Sequence, residues 1–112
     1  MTKTFALDAT FAKHANEGVY LKPFFCKSDT DGRLNNLEII IVPGYEILPH
    51  NHAASTEFFY VVSGEGEFQD NEGWHKIKPG DAFRAPDGVT HALKTTGNEP
   101  LKLLATFSPP IM

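Results

Sequence analysis

Three histidines and one glutamate, His50, His52, Glu57 and His91, form a mixed nitrogen and oxygen set, and brought together they would hold a divalent cation. Neutral imidazole with carboxylate suits Mn, Fe, Ni, Co or Zn and poorly suits Ca or Mg, which prefer all-oxygen shells. Zinc would be filled tetrahedrally by four such ligands, whereas a six-coordinate ion would keep two positions for water, substrate or dioxygen. His50 and His52 stand two residues apart in Ile47-Leu48-Pro49-His50-Asn51-His52, a step that puts both rings on one face of a strand. Helical metal pairs use a four-residue step, so this pair is expected on a sheet.

Glu57 follows His52 by five residues, an odd step that on one unbroken strand would turn it to the opposite face. The small residues Ala53-Ala54-Ser55-Thr56 are the place for a bend, after which Glu57, Phe59 and Val61 share the interior. His91 must come from elsewhere, and the turn Ala85-Pro86-Asp87-Gly88 can reverse the chain to deliver it.

The segments that must do this positioning are short. From Val19 onward, runs rich in Val, Ile, Phe and Tyr are broken every eight to twelve residues by Gly, Pro, Asp or Asn, the pattern of an all-β sandwich or barrel. Strands are expected at Val19 to Cys26, Arg33 to Val42, Ile47 to His52, Glu57 to Val62, Gly66 to Asp70, Trp74 to Ile77, Ala82 to Ala85, His91 to Thr95 and Leu101 to Phe107. That is enough for eight antiparallel members, and no segment sustains the apolar stripe of a stable helix. Residues 1–17 read as an N-terminal arm, with one helical turn possible over Ala9 to Ala15. Gly64, Gly66, Gly80 and Gly88 read as turn or bulge positions.

At 112 residues and 41% apolar content the chain is expected to form one domain, burying roughly two-thirds of its unfolded surface. A net charge of -4 with scattered Lys and Arg argues against nucleic acid and against anionic membranes. No run approaches the ~20 apolar residues of a membrane helix, and the start lacks the apolar core of a signal peptide. A soluble cytoplasmic protein is expected. Its single cysteine, Cys26, cannot make an intrachain disulfide and is expected as a buried strand residue.

The spacing Gly44, five residues, His50-Asn51-His52, four residues, Glu57, six residues, Gly64 resembles the first signature of the cupin superfamily. Gly80, five residues, Pro86-Asp87-Gly88, two residues, His91 resembles the second, and the chain is similar to small single-domain microbial cupins. The resemblance implies a double-stranded β-helix, a jelly-roll barrel of two antiparallel sheets, with the motifs at residues 44–64 and 80–95 lining one end and His50, His52, Glu57 and His91 as metal ligands. Thr95 stands where the second signature usually carries Asn, a supporting residue.

Counting in twos from the ligands gives a pocket wall of Phe59, Val61, Phe83 and Leu93, with Ala85 beside them. Arg84 and Lys102 fall on outward phases, Tyr20 and Tyr45 could donate from the rim, and His14 and His75 carry no role in this reading. The expected activity is that of a divalent-metal enzyme acting on a compact keto, carboxylate or hydroxyl metabolite, of dioxygenase, isomerase or lyase type, with Glu57 as ligand or base. The alternative is a non-catalytic module that binds or senses a small molecule or metal. The intact ligand set disfavours the metal-free sugar-epimerase relatives. A homodimer is expected, because outward-phase Ile40 and Val42 would otherwise meet water.

Overall fold

The computed structural model describes residues 3–112 and contains two antiparallel sheets. Ten strands follow in order: β1 (Ala12–Lys13), β2 (Val19–Phe25), β3 (Asn35–Ile41), β4 (Glu46–His50), β5 (Thr56–Ser63), β6 (Gly66–Asp70), β7 (Gly73–Ile77), β8 (Ala82–Ala85), β9 (His91–Thr95) and β10 (Leu101–Ser108). The six-stranded sheet runs β1-β2-β3-β10-β5-β8 and the four-stranded sheet runs β4-β9-β6-β7. The only helix among the described residues is a 3-10 turn at Lys27–Asp29, and none is long and apolar enough to cross a membrane.

Period-two alternation builds the core. Leu37, Ile39 and Ile41 of β3, Leu101, Leu103, Ala105 and Phe107 of β10, and Phe59 and Val61 of β5 point inward against Phe68, Ile77 and Leu93 of the other sheet. Each such aliphatic or aromatic side chain contributes about 1.5–3 kcal/mol by leaving water. The rings of Phe59, Phe68 and Phe83 meet at centroid distances of 4.6–5.7 Å. Two glycines make the closure possible. Gly64 has φ +80° and a Cβ there would strike the Pro100 carbonyl. Gly66 lies within β6, where a Cβ would strike the Lys94 carbonyl of β9, so it serves close strand approach and not the turn or bulge expected of it.

Three further expectations need correction. The arm makes no helical turn: Ala12 and Lys13 pair with Leu21 and Tyr20, and the His14 amide donates to the Val19 carbonyl, so the arm folds back as a short hairpin. Strand β4 ends at His50, leaving His52 in the turn beyond it. Cys26 is half-buried just after β2, beside Ser28 and Asp29 at the 3-10 turn, because the chain leaves the sheet at Phe25.

Candidate metal centre

Strand register carries the three strand-borne donors to one end of the barrel. His50 closes β4 and is paired directly with His91, the first residue of β9. Glu57 occupies an inward slot of β5 in the facing sheet, flanked by Phe107 and Ala85. The turn after β4 supplies His52, whose carbonyl accepts from the Gly88 amide and whose ring stands edge-on to Phe107 at 4.9 Å. One ligand atom from each of His50, His52, Glu57 and His91 lies within 4.8 Å of all the others. The expected pairing of His50 and His52 on one strand face is therefore not how they meet: the same convergence comes from a strand end and a turn.

Backbone carbonyls set the tautomers. His50 Nδ1 donates to the Leu48 carbonyl at 2.9 Å and His91 Nδ1 to the Val89 carbonyl at 3.1 Å. In the neutral rings the Nε2 lone pairs are then free, the arrangement found where imidazole binds metal. His91 Nε2 lies 3.2 Å from Glu57 Oε1. His52 Nε2 lies 3.5 Å from the same oxygen, outside hydrogen-bond geometry, and is buried without a partner. A proton on His91 Nε2 or a bound cation would satisfy the contact between His91 and Glu57, and a cation would in addition give the orphaned His52 nitrogen a partner. Two donors about 2.1 Å from one ion can be at most about 4.2 Å apart, so a cluster spanning up to 4.8 Å would draw in by roughly half an ångström to hold one.

Electrostatics favour the same state. Burial holds the His50 imidazole below the usual histidine range, and the neighbouring His91 and His52 add to this, outweighing the Leu48 carbonyl and Glu57, which raise it. Burial pushes the Glu57 carboxyl up, yet the adjacent imidazoles of His52 and His91 outweigh it and leave the carboxyl below its ordinary value. At neutral pH the cluster thus offers an uncharged His50 and an ionised Glu57.

The cluster opens into a cavity of about 90 Å³. Its apolar lining includes Leu21, Ile39, Ile47, Phe59, Leu93 and Phe107, and among the described residues no Lys or Arg lines it. Of the expected wall, Phe59 and Leu93 are in place. Val61 and Phe83 are not: Val61 is sealed in the core two residues farther along β5, and Phe83 stacks on Phe59 behind the cavity. Tyr20, Tyr45, Arg84 and Lys102 stand outside it, Lys102 pairing with Glu38 at 3.4 Å. Thr95 is removed from the cluster and ties the two sheets together, its hydroxyl donating to the Ile41 carbonyl at 2.7 Å.

His14, to which the sequence reading assigned nothing, lines the cavity. The signal was weak, since only the β1-β2 hairpin brings the arm over the barrel mouth, and a two-strand pairing of Ala12 and Lys13 carries no strand pattern of its own.

Comparison with known proteins agrees with this architecture. A 65-residue stretch is 38% identical to the "Oxalate-binding protein" of Thermotoga maritima, covering 58% of this chain and 54% of that protein. The chain thus spans about half the length of the curated relatives it matches. Among solved structures, a "predicted oxalate decarboxylase" of Thermotoga maritima superposes with a TM-score of 0.85 at 24% identity, covering 96% of this chain and 97% of that one. An RmlC-like cupin of Shewanella frigidimarina gives 0.81 at 22% identity, covering 96% and 92%. The cupin domain family model matches residues 37–107, which include all four clustered donors, and the chain belongs to the cupin family.

Proposed function

We propose that this protein is a divalent-transition-metal enzyme acting on a compact oxygen-bearing metabolite, bound through a keto, carboxylate or hydroxyl oxygen, with dioxygenase, isomerase or lyase chemistry. The observation that carries this reading is the convergence of three imidazoles and one carboxylate at the floor of a small apolar cavity. A bound divalent cation would supply Lewis acidity, lowering the pKa of a coordinated water or hydroxyl and polarising a carbonyl. His50, His52, Glu57 and His91 would hold it. The apolar walls exclude water and strengthen every charge interaction at the floor. A cavity well below the roughly 300–1,000 Å³ of drug-sized sites favours a ligand of few heavy atoms. Glu57 is the one side-chain carboxylate among the described residues of the lining, and it is a group that can accept a proton from such a ligand.

The test is uptake of Mn, Fe, Co, Ni and Zn by tag-free protein, followed by turnover assays on oxalate, keto acids, catechols and uronates. Glu57→Gln should abolish turnover while retaining some metal, and full activity in that variant would refute the assignment of Glu57. A second reading, a binding module without catalysis, is favoured by the name of the Thermotoga oxalate-binding relative. It predicts recovery of the ligand unchanged after prolonged incubation with metal-loaded protein.

Assembly as a homodimer belongs to the same proposal. Ile40 and Val42 are only half-buried, and the outer face of the six-stranded sheet leaves Phe58, Tyr60, Val62 and Leu104 more than 40% exposed. A second copy packing on that face would cover them. Gel filtration at low micromolar concentration should give the mass of two chains; the mass of one would reject it.

A further inference from the structure

His14 lines the cavity, and both its backbone and its ring are tied by hydrogen bonds. Its backbone is held by the bond from its amide to the Val19 carbonyl, and its Nδ1 accepts from the Asn16 amide at 2.9 Å. Because Nδ1 accepts, the neutral ring carries its proton on Nε2. The same arm is fastened to the ligand strand: the Leu48 amide donates to Asn16 Oδ1 at 2.9 Å, while the Leu48 carbonyl is the group that orients His50. One residue of β4 thus links the arm to a clustered imidazole. His14 lies outside the set of atoms within 4.8 Å of one another, so it is not placed to share an ion with them, yet it lines the cavity they floor. Among the described residues the lining has no Lys or Arg, its other polar side chains are gathered in the cluster, and this ring carries the one side-chain N–H of the lining outside that cluster.

We propose that His14 binds the substrate, its Nε2–H donating to an oxygen of a small carboxylate or keto acid held at the cluster. The role rests on the reading of His50, His52, Glu57 and His91 as a metal site. It assigns specificity to the N-terminal hairpin: the cluster anchors one oxygen, and the arm recognises another. A donor held by backbone bonds on both sides loses little entropy on binding, which makes it selective for ligands with a second acceptor.

The experiment uses the full chain loaded with Mn(II) or Co(II), with oxalate as the probe, and measures metal affinity and oxalate affinity separately by calorimetry. For His14→Ala we expect metal affinity within about twofold of the parent and oxalate affinity about tenfold weaker. His14→Gln, whose amide nitrogen takes the place of Nε2, should return oxalate affinity to within about threefold. Equal oxalate affinity in parent and His14→Ala would overturn the proposal. So would a parallel fall in metal affinity, which would mark His14 as structural, or a metal-loaded parent that takes up no oxalate at millimolar concentration. A parent that binds no metal is a different result, since it removes the cluster reading and the His14 role with it.

Discussion

The molecule contains the same chemical pair twice, a carboxylate against an imidazole, in opposite settings. Asp70 and His75 meet at 2.9 Å across the β6-β7 hairpin, with the His75 side chain 49% exposed. Glu57 and His91 meet at 3.2 Å with side chains 5% and 1% exposed, and two further imidazoles crowd the same carboxylate. In the hairpin, water screens the pair and competes for both partners, so it contributes little. At the cavity floor nothing screens it, and each group depends on the others or on a cation for its charge balance. The difference lies in what surrounds the two pairs, since the tighter contact is the weaker interaction.

Breaking the buried pair should have the largest effect. His91→Ala leaves Glu57 buried with one fewer partner, and we expect a loss of about 3 kcal/mol in urea denaturation at pH 7 in the presence of a chelator. It should also lose metal uptake. A loss below about 1 kcal/mol would mean that water already solvates Glu57. A second experiment sharpens the contrast. Metal at about 100 times its Kd should add about 2.7 kcal/mol to the parent protein, seen as a rise in melting temperature that a chelator reverses. His52→Ala should lose most of that rise, and His75→Ala should keep all of it. An undiminished rise in His52→Ala would remove that orphaned nitrogen from the ligand set.

The two pairs also show what could be read from sequence. The hairpin pair is local: Asn71 and Glu72 join two short strands, and Asp70 and His75 lie five residues apart on either side of that turn. The strands themselves were legible because Gly, Pro and Asp punctuate runs rich in β-branched and aromatic residues, and their bounds mostly fall within two residues of those observed. For the cavity, alternation predicts face but not depth. Phe59 and Val61 both point inward from β5, yet only the one nearer Glu57 reaches the cavity. Phase likewise could not show that His52 would arrive from a turn. His14 was illegible for a further reason, since its placement depends on the Leu48 amide finding Asn16, a contact spanning 32 residues.

The smallest effect belongs to the exposed pair, and its pH dependence has a definite sign. The hydrogen bond from His75, together with the Glu72 amide, holds the Asp70 carboxyl below its ordinary value. A carboxyl whose folded pKa is depressed contributes stability above its unfolded pKa, and that contribution disappears as pH falls through the folded value. Asp70→Asn should therefore cost at most about 0.5 kcal/mol at pH 7, given solvent screening, and the difference from the parent should vanish as the medium is acidified below the usual carboxylate range. Paired urea titrations across that range measure it. A cost near 2 kcal/mol would show that the hairpin pair is protected from water, and the distinction drawn between the two settings would fail at its weaker member.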